Sequence, residues 1–137
     1  DDKNLEIDAQ FENEKMLVVA DKDAIKRVII NILDNAVKFS YNNTKIIIQS
    51  KNINRHAYVS VGNFGAGINK DEIDSVFERF YKTDKSRSED KKGVGLGMSF
   101  AKNIINLHKQ KIRVESMDAK EGTDAKYTQF TFTLELS

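Results

Sequence analysis

Leu5, Ile7, Ala9 and Phe11 are separated by single polar residues, a period of two that predicts a strand with one buried face. The short apolar run Met16–Ala20 predicts a second strand. From residue 25 the period changes. Ile25, Val28, Ile29, Ile32, Leu33, Ala36 and Val37 recur at helical spacing, with Asp21 or Asp23 in place to cap the first turn. Tyr41-Asn42-Asn43-Thr44 ends this main core helix. Ile46-Ile47-Ile48 and Tyr58-Val59-Ser60-Val61 follow as a strand pair around a polar loop near Asn52-Ile53-Asn54-Arg55. Ile73, Val76, Phe77 and Phe80 lie at i, i+3, i+4 and i+7, which predicts a short amphipathic helix. A third helix places Phe100, Ile104 and Leu107 on one side, with Ala101 and Ile105 beside them. Ile112–Glu115 and the alternation Phe130-Thr131-Phe132-Thr133-Leu134 predict two closing strands. This order implies an α/β (α+β) two-layer sandwich. It has a mixed, mostly antiparallel sheet of about five strands, with three helices on one face.

At 137 residues the chain suits a single domain spanning residues 1–137, with no internal repeat and no linker. The 22 Lys+Arg nearly cancel the 21 Asp+Glu, which excludes a protein held mainly by nucleic-acid phosphates. There is no cysteine, so disulfides and thiolate metal sites are ruled out, and a reducing compartment, the cytoplasm, is the expectation. No apolar run reaches the ~18 residues of a membrane span, and the charged opening Asp1-Asp2-Lys3 is not a signal peptide. Residues 82–92 carry no apolar side chain and mix both charges, the composition of a segment that stays mobile unless a ligand orders it.

Candidate chemistry lies on the first helix and on two glycine groups. Asn31, Asn35 and Lys38 are spaced four and three apart, so they project from one face of an otherwise apolar helix. Leaving a buried amide unpaired costs ~1–3 kcal/mol, so these groups need partners, either neighbouring loops or a bound ligand. Gly65 and Gly67 follow a predicted strand, where they serve a tight turn or let a flat ligand approach the backbone. Gly93, Gly95 and Gly97 open a predicted helix, whose free N–H groups and positive dipole end favour phosphate. The spacing is neither a dinucleotide fingerprint nor a P-loop.

Four boxes occur in this order: Asn-x-x-x-Asn-Ala-x-Lys-x-Ser at 31–40, Asn-x-Gly-x-Gly-Ile at 63–68, Phe-Glu-Arg-Phe-Tyr at 77–81 and Gly-Val-Gly-Leu-Gly at 93–97. Together they resemble the signature boxes of the ATP-binding catalytic domain of bacterial sensor histidine kinases, over roughly residues 5–136. That family belongs to a superfamily with gyrase-type topoisomerases, MutL and certain chaperones. The resemblance implies a Bergerat-type fold holding ATP and Mg²⁺ between helices and sheet, under a lid at about 82–94. It implies that Asn35 gives an oxygen to Mg²⁺, that Asn31 assists the metal and phosphate network, and that Lys38 reaches the phosphates. Phe39 would line the pocket. Asn63 would meet the adenine amino group, with Gly65, Gly67 and Ile68 shaping the adenine pocket. Phe80, Tyr81, Lys82, Arg87, Gly93, Val94, Gly95, Leu96 and Gly97 complete the implied ATP contacts.

Two departures stand out. The family usually has aspartate at the position of Asn63, so one charge-assisted bond to adenine becomes neutral, a loss of ~1–2 kcal/mol unless the pocket compensates. Natural members with asparagine exist, so inactivity does not follow. The usual Leu-His-Gly-Gly reads Leu107-His108-Lys109-Gln110, a turn made without glycine. The family's phosphoacceptor box, His-Glu followed by proline, finds no match in a chain without proline, and His56 and His108 are expected in ordinary surface roles. The resemblance therefore implies the catalytic module alone. It would transfer the γ-phosphoryl of Mg-ATP to a histidine on a separate dimerisation segment, with a response regulator downstream and a membrane-attached homodimer as the whole protein. The superfamily's ATPases carry glutamate at the position of Asn31, and an amide cannot act as that general base. A gyrase- or MutL-like ATPase, an anti-sigma serine kinase and a nucleotide-degenerate docking module are the competing readings.

Overall fold

A computed structural model describes residues 3–12, 15–78, 97–119 and 124–137. Its elements are β1 (Glu6–Phe11), β2 (Val18–Val19), α1 (Lys22–Phe39), β3 (Lys45–Ile53), β4 (His56–Gly65), α2 (Gly97–Leu107), β5 (Ile112–Asp118) and β6 (Lys126–Leu136). The sheet order is β1-β3-β4-β6-β2, with β5 also paired to β6. Only β1 with β3 is parallel; the other pairings are antiparallel. The mixed, mainly antiparallel sheet is as expected, with six strands where about five were counted.

Helix α1 forms where the period predicts it. Asp21 is its N-cap and accepts from the Ala24 N–H at 3.1 Å. Ile25, Val28, Ile32 and Ala36 are buried, packed with Ala101 and Ile105 of α2 over Ile46, Ala57, Val61, Phe130, Phe132 and Leu134 of the sheet. Ser40 closes the helix by donating its hydroxyl to Ala36 O at 2.6 Å. The β3–β4 hairpin turns on Asn54 and Arg55, both with positive φ (50° and 66°). This is the conformation that lets a two-residue turn match the twist of its strands.

Three expectations are corrected. The short helix predicted from Ile73 is a 3-10 turn, Ile73–Ser75, flanked by further three-residue-spaced bonds from Asn69 to Glu78. The i, i+3 spacing that suggests a helical face is satisfied by the tighter 3-10 turn, which buries Val76 alone. The predicted helix runs on to Phe80, outside the described residues, among which there are two α-helices. In β1 the alternation is genuine but its face is uncovered. Ile7 and Phe11 are 59% and 57% exposed, because α1 lies over the middle of the sheet and β1 is an edge strand. On α2, Leu107 is exposed at the last position while Ala101 and Ile105 carry the burial.

The turn after α2 shows how a chain lacking the expected glycines closes a helix. Lys109 N–H donates to Asn106 O at 2.9 Å and Gln110 N–H to Ile105 O at 3.0 Å, with Lys109 at φ 59°. These are the two bonds and the left-handed residue of a Schellman motif. His108, expected in an ordinary surface role, ties the two helices together. Its Nδ1 pairs with Ile104 O at 2.8 Å, and its Nε2 accepts from the N–H of the α1 cap, Asp21, at 3.0 Å. Since lysine carries the left-handed strain that glycine does not, Lys109→Gly should stabilise the domain by about 0.5–1 kcal/mol and raise its melting temperature by a few degrees. A thermal melt that is unchanged or lower would show that Lys109 bears no strain.

Candidate functional site

The polar stripe of α1 emerges beside its buried stripe. Asn31, Asn35, Lys38 and Phe39 are half-buried, at the margin between the helix and its surroundings. Lys38 Nζ stands 5.5 Å from the centre of the Phe39 ring. Asn31 Nδ2 donates to Gly97 O at 3.4 Å, so this stripe meets the first residue of α2. Arg27, one turn earlier, lies over the Phe100 ring at 4.9 Å and joins the same two helices. The Asn35 amide makes no hydrogen bond with any described residue.

The other wall is the end of β4. Asn63 is 6% exposed on the helix-covered face, paired in register with Ile46 and Thr128. Gly65 is buried against the end of α1: a Cβ there would collide with the Phe39 carbonyl oxygen. Ser40 bridges to Gly65, and Tyr41 N–H donates to Phe64 O at 2.9 Å. Gly67 has φ 77°, and a side chain there would press on Lys126 and Ser116 Oγ, so its backbone already requires glycine. Both glycines have structural tasks that hold the loop close to α1. Ile68 N–H is anchored to Ser116 Oγ at 3.1 Å, and Ser116 Oγ shares a hydrogen bond with Thr128 Oγ1 at 3.0 Å.

Two contacts join these segments: Asn31 meets Gly97 at the start of α2, and the end of α1, at Phe39 and Ser40, meets Gly65 at the end of β4, from which the chain runs on to Gly67 and Ile68. Phe80, Tyr81, Lys82, Arg87, Gly93, Val94, Gly95, Leu96 and the lid expected at 82–94 lie outside the described residues. Sequence reasoning passed over Thr128 and Ser116. Thr128 is buried opposite Asn63, and its signal was strand parity, since it lies two residues before the inward Phe130. On the opposite face of the sheet, Gly62 leaves room for the Tyr127 ring, which packs on Phe64 with centroids 5.0 Å apart. Burial pushes the Tyr127 phenol above its ordinary pKa.

Residues 20–137 match the family model described as histidine kinase-, DNA gyrase B- and HSP90-like ATPase. The chain belongs to this family. It is 34% identical over 128 residues, 90% of its length, to the signal transduction histidine-protein kinase ArlS of Staphylococcus aureus. It spans 28% of the length of that relative. Among solved structures it resembles a mycobacterial sensor histidine kinase, MprB, with a TM-score of 0.81 and 25% identity, covering 97% of this chain and 86% of that one. It also resembles the catalytic domain of histidine kinase ThkA, with a TM-score of 0.79 and 30% identity, covering 98% and 80%. The chain is therefore an ATP-binding domain of the histidine-kinase type, homologous to those sensor kinases.

The family's two glycine-bearing loops fare differently under substitution. Gly65→Ala should destabilise this ATPase-family domain by about 1–3 kcal/mol, the scale of an overpacking strain, because backbone must move to admit the methyl group. Among the described residues nothing lies near the Cβ position of Gly97, so Gly97→Ala should be neutral or slightly favourable at the start of α2. Denaturant unfolding of the two variants tests this; equal midpoints would show that the α1–β4 junction is looser than its geometry indicates.

Proposed function

We propose that this domain binds Mg-ATP between α1, the end of β4 and the start of α2, and transfers the γ-phosphoryl group to a histidine on a separate dimerisation segment. The observation that carries the reading is the α1 stripe, in which two neutral amides and one cation share a helix whose Asn31 meets Gly97 and whose end, at Ser40, meets Gly65. Asn35 presents a neutral oxygen and has no competing partner among the described residues. Asn31 stands one turn away and is tied to Gly97.

The donor set fits Mg²⁺, a hard ion that keeps most of its waters and takes one or two protein oxygens beside substrate phosphates. Among the described residues there is no group of three or more His, Cys, Asp or Glu that would form an all-protein metal cage. Mg-ATP, when bound, supplies the phosphoryl group and the charge that neutralises its oxygens. Lys38 adds a mobile point charge for those oxygens. Asn63, with Thr128 and Ser116 beside it, gives the base a buried polar edge, and Gly65 and Gly67 let the loop pass close to it.

No protein nucleophile is needed, since positioning and charge neutralisation account for most of the catalysis of phosphoryl transfer. Asn31 cannot take a proton from water, which supports transfer over hydrolysis. In this reading the domain is the cytoplasmic catalytic part of a membrane-attached, homodimeric sensor kinase whose phosphoryl group passes on to a response regulator. Among the described residues no helix is long and apolar enough to cross a membrane.

Calorimetric titration should show Mg-dependent ATP binding. Asn35→Ala should weaken it about tenfold or more, the scale of one lost contact to a charged group at ~1.5–3 kcal/mol, with little change in unfolding free energy. With labelled ATP, the domain alone should release little phosphate and should label an added dimerisation segment in acid-labile form. Rapid release without that segment would replace the kinase with an ATPase. Silence in both assays despite binding would point to a docking module.

A further inference from the structure

The residues that lead into β1 are bonded to the far end of the helix that carries the polar stripe. Lys3 Nζ donates to Val37 O at 3.0 Å and to Lys38 O at 2.6 Å, from a part-buried position. These carbonyls belong to the last turn of α1, where intrahelical donors run out and the helix dipole is negative. An ammonium there both donates to the carbonyls and balances the dipole.

The backbone around Lys3 is stitched to the same corner. Lys3 O accepts from Asn43 N–H at 2.9 Å, and Glu6 N–H donates to Thr44 O at 3.1 Å. Asn4 Nδ2 donates to Asn43 Oδ1 at 2.9 Å. Immediately past the helix, Ser40 bridges Gly65 and Tyr41 N–H holds Phe64 O. Residues 3–6 are therefore joined through one turn of helix to Lys38 on one side and to the Asn63–Gly67 loop on the other. Displacing them withdraws the cation from the very turn that carries Lys38.

We propose that Lys3 is a positioning residue of the nucleotide site, capping the last turn of α1 so that Lys38 is held toward the phosphates. Lys3 itself touches no substrate. The inference rests on the ATP-binding reading above and adds a dependence of that site on the segment entering the sheet.

The test titrates Mg-ATP and adenosine into the whole chain, as parent, Lys3→Met and Lys3→Arg, well below each melting temperature. Lys3→Met should weaken Mg-ATP about fivefold, the scale of a cation at a helix C-terminus, and adenosine much less, because the cap acts through Lys38 on the phosphates. Lys3→Arg, which keeps charge and donors, should restore the parental values. Amide exchange at Ser40 and Tyr41 should quicken in Lys3→Met without nucleotide. Should Lys3→Met fail to fold, Lys3→Gln, neutral but able to donate, should show the same selective loss for ATP. A parent that binds no Mg-ATP overturns the kinase reading and this inference with it. A parent that binds, beside a folded Lys3→Met of equal ATP affinity, overturns the inference alone. Equal losses for ATP and adenosine also overturn it, since they mark general loosening.

Discussion

The seating of α1 governs this molecule. Val28 and Ile32 are almost wholly buried, with Ile25 and Ala36 beside them, and burying each of the larger side chains is worth about 1.5–3 kcal/mol. That apolar stripe must lie on the sheet, and once it does, the helix has no rotational freedom left. Asn31, Asn35 and Lys38 are then forced to the margin of the core. Polar groups that would cost stability as core residues stay half-buried at that margin, because the adjoining stripe holds the helix in place.

The ends of the helix are secured by different chemistry. At the start, Asp21 caps the first turn, and its own N–H is taken by His108 from the end of α2. At the finish, Ser40, Lys3 and the contact with Gly65 hold the last turn against the sheet. Asn31 adds a third tie, to the start of α2. Asn31, Asn35 and Lys38 thus sit on a helix bonded to Gly97 and to Gly65, and its placement follows from those ties rather than from any single side chain.

Asn63 shows how a chemical departure is accommodated. An amide offers a donor and an acceptor where a carboxylate offers acceptors only, so the local network differs even when the shape is kept. Its cross-strand neighbour Thr128 shares a hydrogen bond with the Ser116 hydroxyl, so the surroundings stay polar without a carboxylate. Lys109 is the parallel case for backbone. The Schellman bonds form with lysine in the left-handed conformation, and the motif survives at a cost in strain.

Periodicity alone located α1, α2 and the strands, because burial of one face imposes a period of 3.6 or 2 that the residues must obey. The box residues and their order pointed to the histidine-kinase-type ATPase family, since the amides of α1 and the glycines stand out from apolar or polar surroundings. Local pattern could not say which apolar face would find a cover. Ile7 and Phe11 alternate as well as Phe130 and Phe132 do, yet only the latter lie beneath the helices, a matter of strand order that β1 at the edge and β6 near the centre settle. Nor could it exclude a 3-10 turn at Ile73–Ser75, since Ile73 and Val76, three apart, suit either form even where Phe77 extends the α-helical spacing. Lys3, His108 and Thr128 became legible only when distant segments met, because each acts through a partner tens of residues away, and hydrogen bonds across such gaps leave no period in the chain.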